Sequence, residues 1–475
     1  MRSFAAFLRH LELVTRPVHP ESRAALDRRW AELPGHVKTP AQLLGRTAVG
    51  CEGTHGVFPK CNLTCTPCYH SADANKVRID GGHTVNAVTE QMALLRRLRG
   101  PRAHAQLIGG EVSLLPAQDH AAALLAMRAA GREPMSMTHG DFDYQYLLDV
   151  ALDGNGQPRF RKVSFAAHFD SLMRGRRGVP RPRSESELDP YRERFAAMFT
   201  ALRKDHGIGS YIAHNMTVTP ANIDQVPGVT GSVLGMPFDM LSFQPAAYMG
   251  DDRRWGKDFA NVTIDAVWDR IEQGAGQRIP WQGTQFGDTR CNRTAVVLRA
   301  GGTLAPLIDP DDPDDIEARD RLLADFGGMY FGGTPHWIVA AKIIRALLAH
   351  PGEVPVVLRF GQRLARRAGG LHHIFAAARA NQLSFRTFVV HNFMDAADVA
   401  PAWDLMEKGA VSEDPKSREV QERLGACMYT MSHPDTGQVV PACVQHSVLD
   451  PAENAGLRKL LPLTPRGHGE PPVHP

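Results

Sequence analysis

Between residues 46 and 250, short apolar runs alternate with longer stretches whose apolar positions recur at helical spacing. The short runs predict strands at Gly56–Pro59, Ala105–Ile108, Pro134–Thr138, Val163–His168, Tyr211–Val218 and Met240–Gln244. Between them the spacing predicts helices over Val85–Leu98, Asp119–Ala130, Tyr144–Leu152 and Tyr191–Lys204, with a weaker one after Pro220. Strand and helix in alternation point to an α/β protein built on a parallel sheet. An open sheet and a partial (β/α)6 barrel satisfy this pattern equally. Ahead of it, residues 1–45 form a helical lead-in, with Ala5, Phe7, Leu8, Leu11 and Leu13 in one stretch and Ala24–Leu33 in another.

Beyond residue 300 the pattern changes. Asp309–Asp315 is an acidic run broken by proline and marks a boundary near residues 300–320. It lacks the glycine turn and spaced carbonyl ligands of a Ca²⁺ loop. Residues 301–464 are expected to form a mainly helical C-terminal extension, and the tail 465–475 to be disordered. Within the extension, residues 337–380 are helical and amphipathic. Trp337, Ile338, Ala341, Ile343, Ile344, Leu347 and Leu348 are followed by Arg359, Arg363, Arg366 and Arg367. Such a segment either faces a core with a solvated back or lies on an anionic membrane surface. In the first half, Arg174, Arg176, Arg177, Arg181 and Arg183 crowd one loop, which reads as a solvated surface loop or as a lid or anion contact.

Composition narrows the class. The chain has 475 residues, with 54 Lys and Arg against 51 Asp and Glu, a formal charge of +3. A hydrophobic share of 43% and a charged share of 22% are globular values, and the near balance of charge gives no argument for nucleic-acid binding. No apolar run approaches the ~18 residues that span a bilayer. The N-terminal stretch is interrupted by Arg9, His10 and Glu12, so a cytoplasmic protein is expected. Seven cysteines are too few for a disulfide scaffold. Four of them crowd together as Cys51, Cys61, Cys65 and Cys68, while Cys291, Cys427 and Cys443 are scattered. In a reducing compartment a tight group of this kind binds metal or reacts.

The segment Cys61-Asn-Leu-Thr-Cys65-Thr-Pro-Cys68 carries the strongest chemistry. Three thiolates at CxxxCxxC spacing, on a loop leaving a strand, can hold three corners of a [4Fe–4S] cube and leave one iron open. Zinc would want a fourth ligand, which His70 or Cys51 can supply. At the end of the second strand stands Gln106-Leu-Ile-Gly109-Gly110-Glu111. Its glycines leave backbone groups bare, and its carboxylate can pair with an ammonium. Read alone, the tripeptide is a turn.

Together the two motifs resemble those of the radical S-adenosylmethionine (radical SAM) superfamily. The resemblance implies a partial (β/α)6 barrel over roughly residues 46–250, with the site at the strand C-termini. It also implies a [4Fe–4S] cluster on Cys61, Cys65 and Cys68, and S-adenosylmethionine bound beside Gly109, Gly110 and Glu111. Pro67 stands where that family has a large apolar residue; its carbonyl would meet the adenine amino group, with Tyr69 replacing the missing packing. Strand order makes His168 and Asn215 candidates for the ribose or carboxylate, and Gln244 a candidate for the cofactor or the substrate. A low-potential electron donor such as flavodoxin or ferredoxin is implied, with an organic substrate that loses hydrogen from an unactivated C–H bond.

Three further stretches, Ser242–Gly250, Val390–Asp395 and Cys427–Cys443, look like the archaeal tetraether lipid synthase-like group of that superfamily. That group joins lipid chains through unactivated carbons and uses additional metal centres. A lipid-like substrate, peripheral membrane contact and one auxiliary iron–sulfur cluster on Cys51, Cys291, Cys427 and Cys443 follow as expectations. The chain departs from the group in having no cysteine-rich N-terminal module. Cys427…Gly437…Cys443 also resembles the opening of a SPASM domain, without its dense downstream cysteines. Two other readings stand beside these: a radical SAM modifier of a peptide or small molecule, and a zinc-stabilised binding protein without catalysis.

Overall fold

The computed structural model describes residues 2–463 except 71, 257, 258, 260, 261, 332, 333, 434 and 435. The tail 465–475 lies outside the described residues. Two helices, α1 (Arg2–Thr15) and α2 (Pro20–Glu32), lead into the sheet. Six strands then run parallel and neighbour one another in chain order: β1 (Cys51–Gly53), β2 (Ala103–Leu107), β3 (Arg132–Thr138), β4 (Lys162–His168), β5 (Gly209–Val218) and β6 (Met240–Pro245). The connections carry α3 (Gly81–Arg99), α4 (Ala117–Ala129), α5 (Tyr144–Ala151), α6 (Asp189–His206) and α7 (Val226–Gly235). This is the α/β arrangement of a (β/α)6 partial barrel. Its core lies between sheet and helices, where Phe165, Phe195, Phe199 and Phe243 are buried together.

The first strand sits earlier than the apolar run Gly56–Pro59 suggests. Val57 and Phe58 are buried, but Gly56 has φ +62 and turns the chain out of the strand. Apolar character there reports burial in a packed loop rather than sheet pairing.

The remaining strands come from the second half. After α8 (Ile264–Ala275) follow β7 (Asn292–Ala300), β8 (Thr303–Pro306), β9 (Leu383–His391), β10 (Tyr429–Ser432) and β11 (Val439–Pro441). The sheet order is β8-β7-β9-β6-β5-β4-β3-β2-β1-β10-β11. β9 therefore enters beside β6, parallel to it, while β10 joins β1 at the other end. The residues after 301 hold the helices α9 (Pro313–Phe326), α10 (His336–Ala349), α11 (Val354–Arg367), α12 (Leu371–Arg379), α13 (Ala396–Glu407) and α14 (Pro415–Gly425), yet they also extend the sheet at both ends.

The charged runs find partners inside the molecule. Asp312 caps α9, and buried Asp315 meets Arg363 at 2.7 Å and Arg367 at 2.6 Å, so the acidic run is a docking point for α11. The arginine loop is not wholly a surface feature. Arg176 is 1% exposed and donates to the carbonyl of His139 at 2.7 Å, with its guanidinium over the Phe169 ring. Among the described residues no helix is long and apolar enough to cross a membrane.

Candidate functional site

The cysteine loop is tied down on several sides. The Cys61 amide donates to Asn75 Oδ1 at 2.8 Å, and Thr64–Cys65 pairs as a short strand with Met173–Arg174. The Thr66–Pro67 peptide is cis, and Arg254 donates to the Cys65 carbonyl at 3.2 Å. The Cys65 and Cys68 side chains share a hydrogen bond, which pulls Cys68 down to about 5 and pushes Cys65 up. Burial raises Cys61 to about 12, and the charge of Glu111 adds to that. Beside them, both ring nitrogens of His70 are buried without a hydrogen-bond partner.

Gly109 and Gly110 let the chain before this loop pass close to the end of β2. The Gly110 amide donates to the Phe58 carbonyl at 2.7 Å, and the Glu111 amide to the Lys60 carbonyl at 2.9 Å. A Cβ on Gly110 would stand 2.1 Å from the Lys60 carbonyl oxygen, so no larger residue fits. The Glu111 carboxylate is fully buried. It accepts from the Ser113 amide at 2.9 Å, the Thr138 hydroxyl at 2.7 Å and the His139 amide at 2.8 Å. It thereby couples the end of β2 to the end of β3.

His168 and Asn215 stand opposite each other across β4 and β5. His168 Nε2 lies 2.5 Å from Asp170 Oδ2 and 3.1 Å from the Thr217 hydroxyl. Gln244 accepts a hydrogen bond from the Tyr69 hydroxyl at 3.0 Å, and the Tyr69 ring packs against Phe393 and stacks on His446.

One cavity of about 650 Å³ brings these groups together. Gly109, Gly110, Glu111, Pro67, His168, Asn215 and Gln244 line it, and so do all seven cysteines. It follows the inner face of the strands for their whole length. Lys162, Ser164, Ala166 and His168 contribute every second side chain of β4; Met240, Ser242 and Gln244 do so in β6, and Thr387, Val389 and His391 in β9. Small side chains at Ser164, Ala166 and Ser242 keep the middle open, and Met135, Met137, Ile108 and Phe286 make much of its wall apolar. The cysteine loop closes the end where the parallel strands have their C-termini.

The four cysteines outside the CxxxCxxC loop reach this cavity from separate elements. Cys51 begins β1, Cys291 precedes β7, Cys427 precedes β10 and Cys443 follows β11. Burial pushes Cys51 to about 12 and Cys291 to about 11, and it raises Cys427 and Cys443 too. Arg423 donates to the Cys291 sulfur at 3.1 Å, and the Cys427 thiol donates to the Tyr429 carbonyl at 2.9 Å. Between Cys427 and Cys443, Pro434 and Asp435 lie outside the described residues, while β10 and β11 pair antiparallel with Thr430 opposite Pro441. In the rotamers present, no three His, Cys, Asp or Glu side chains among the described residues are gathered to hold a metal ion.

Sequence reading did not single out Arg254, Arg423 or the pair His446–Asp450. His446 Nδ1 lies 2.9 Å from Asp450 Oδ2, on a π-helical turn at Gln445–Leu449. None belongs to a spaced motif, and only folding brings Arg254, Arg423 and His446 to the cavity.

No family model matches the chain, and no curated protein matches it. Among solved structures, it is similar to native anSMEcpe with bound AdoMet and Cp18Cys peptide, with 14% identity and a TM-score of 0.30 over 46% of this chain and 57% of that one. It is similar also to native anSMEcpe with bound AdoMet and Kp18Cys peptide, with 16% identity and a TM-score of 0.30 over 46% of this chain and 58% of that one. The chain thus spans a little over half the length of these structures.

Proposed function

We propose that the chain is a radical SAM enzyme that takes hydrogen from an unactivated C–H bond of a long apolar, lipid-like substrate. One observation supports this above the rest: the CxxxCxxC thiols and Glu111 share one end of a cavity that continues along the whole barrel. The donor set suits a [4Fe–4S] cluster on Cys61, Cys65 and Cys68, since three sulfur ligands leave one iron free. When bound and reduced by a ferredoxin- or flavodoxin-like donor, such a cluster supplies the electron that splits S-adenosylmethionine into methionine and a 5′-deoxyadenosyl radical.

The chain's own residues orient the reactants. Glu111 Oε1 takes two donors while Oε2 takes the His139 amide, which leaves a lone pair on Oε2 for the ammonium of S-adenosylmethionine. Proline keeps its carbonyl, so Pro67 can accept from the adenine amino group. His168 and Asn215 offer polar atoms to the ribose or carboxylate from adjacent strands. Gln244, steadied by Tyr69, would meet the cofactor or the substrate. The methionine and aliphatic wall excludes water from the radical's path, which limits quenching before C–H abstraction. The likeness of Ser242–Gly250, Val390–Asp395 and Cys427–Cys443 to the tetraether lipid synthase-like group favours the same substrate class. The Tyr248 amide donates to Asp395 at 2.7 Å, joining two of those stretches.

Anaerobic reconstitution with iron and sulfide tests the reading. The loaded protein should be brown, absorb near ~400 nm, and form 5′-deoxyadenosine with S-adenosylmethionine and a strong reductant. Cys61→Ala, Cys65→Ala and Cys68→Ala should each abolish that product. A colourless protein holding stoichiometric zinc, or full product from any of the three variants, overturns the assignment. Deuterium transferred from a perdeuterated long-chain lipid into 5′-deoxyadenosine supports the substrate class, and transfer from a peptide instead overturns it.

A further inference from the structure

The lumen runs along the parallel strands toward their N-terminal ends. Its lining reaches His104, Glu133, Lys162, Tyr211 and Met240, near the N-terminal ends of the parallel strands and opposite the cysteine loop. His104 is exposed there although it sits on a central strand. The lumen therefore reaches the N-terminal end of the barrel as well.

An apolar surface adjoins this end of the barrel. On β9 the inner-face row Val389 and Thr387 continues outward through Phe385 and Leu383, because side chains alternate along a strand. Phe385 lies opposite Leu298 of β7, whose side chain belongs to a small core covered by α11 and α12. Yet Phe385 is 56% exposed, as are Leu358 of α11 (61%) and Leu371 (64%) and Phe375 (66%) of α12. α10 exposes Trp337, Ile344 and Leu348 as well, and its Lys342 donates to the Tyr330 carbonyl. The Tyr330 hydroxyl in turn meets Glu133 at that end of the lumen. Exposed large apolar side chains recurring on the adjoining α11, α12 and strand end exceed the scatter of single ones on a soluble surface.

Charge selects the occupant. From Val354 to Met394 the sequence contains no Asp or Glu and six arginines. Arg363 and Arg367 are held by Asp315, and Arg386 is buried, which leaves Arg359, Arg366 and Arg379 exposed on the same helices as Leu358 and Phe375. Apolar side chains interleaved with cations and no acids match an anionic bilayer surface: the rings enter the headgroup boundary and the guanidiniums stay among the phosphates.

We propose that α11, α12 and the start of β9 dock on an anionic membrane, so that the lumen opens toward the bilayer at the N-terminal end of the barrel. This rests on the lipid-like substrate proposed above only for its purpose; the docking itself is read without cofactor or substrate.

Vesicle sedimentation of the full chain provides the test. Wild-type protein should sediment with vesicles of about 30% phosphatidylglycerol in phosphatidylcholine, weakly with pure phosphatidylcholine, and less as salt rises. Leu371→Glu/Phe375→Glu should lower the anionic-vesicle affinity by about tenfold or more. Arg359→Glu/Arg366→Glu, which keeps the apolar surface, should remove the preference for anionic vesicles. Equal binding by wild type and both variants, no binding to either vesicle, or a dimer that the Leu371/Phe375 pair dissolves each overturns the proposal. Formation of 5′-deoxyadenosine without substrate is measured in parallel. If wild type sediments but forms none, the catalytic reading fails while the docking stands.

Discussion

Three hydrogens point at the carboxylate of Glu111, from two backbone amides and one hydroxyl, and Thr138 and His139 are buried with it. A carboxylate accepts all of them; the amide of glutamine brings only one accepting oxygen and two hydrogens of its own. Glu111→Gln therefore sets N–H against N–H or leaves a buried donor unmet, at a cost of about 1–3 kcal/mol. The expected outcome is a lower midpoint of chemical denaturation together with weaker binding of S-adenosylmethionine. An unchanged midpoint would show that these bonds are not made. The sequence displays the Gly-Gly-Glu tripeptide and its chemistry, but not this anchoring, because Thr138 and His139 stand on the next strand and no spacing links them. Arg254 escapes sequence reading for the same reason: it is an isolated polar residue whose place beside Cys65 arises only in three dimensions.

Elements were legible where one physical signal dominated. β2 to β6 lie within two residues of their apolar runs at either end, because strands buried on both faces read as short continuous apolar segments. β1 was displaced because the more apolar Val57–Phe58 outweighs the three-residue Cys51–Gly53, whose Glu52 is neutralised by buried Arg132 at 2.8 Å. β9 escaped notice beside a long helical pattern, although its Leu383–His391 run alternates toward the lumen. α4 illustrates how such elements are locked. Its His120 lies 2.8 Å from the Ser136 hydroxyl on β3 and 3.0 Å from the Tyr146 hydroxyl on α5. Burial pushes the His120 imidazole down to about 3, so it is neutral in the folded chain. Unfolded, it titrates near ~6.5, and below that pH the unfolded chain takes up a proton that the folded chain refuses. Stability is therefore full above about pH 6.5 and falls as pH drops toward 3, by up to about 1.4 kcal/mol per unit from this residue. His391, held at about 4 by burial, adds to the same slope. Denaturation midpoints between about pH 7 and about pH 5 should fall steeply in wild type and less so in His120→Gln. Equal slopes in the two proteins would remove His120 from the account.

At the scale of the whole molecule, the question is why four cysteines so far apart in sequence line one cavity. β10 and β11 extend the sheet beyond β1, while β7 and β8 extend it beyond β9. The two ends are then tied across: Arg290 meets Asp288 at 2.6 Å and Glu422 of α14 at 3.2 Å. Gln42, in the lead to β1, donates to the Gly287 carbonyl at 3.0 Å. These ties bring the start of β7, with Cys291, to the start of β10, with Cys427, and the β10–β11 pairing returns Cys443 to the same side. Cys443 lies close enough to Cys427 and Cys291 for their charges to raise it further. Arg423, donating to the Cys291 sulfur, puts a cation where a thiolate would gain from one. An auxiliary cluster on Cys51, Cys291, Cys427 and Cys443 remains a proposal, and iron counting decides it. Careful anaerobic reconstitution should give about eight iron atoms per chain if both clusters form. Cys427→Ala/Cys443→Ala should then retain about four and keep the ability to form 5′-deoxyadenosine, since the CxxxCxxC loop is untouched. A wild-type value of about four, unchanged in the double variant, would mean that Cys51, Cys291, Cys427 and Cys443 act as small buried wall residues of the lumen. The likeness to the multi-centre lipid synthases would then reach no further than the stretches of sequence that carry it.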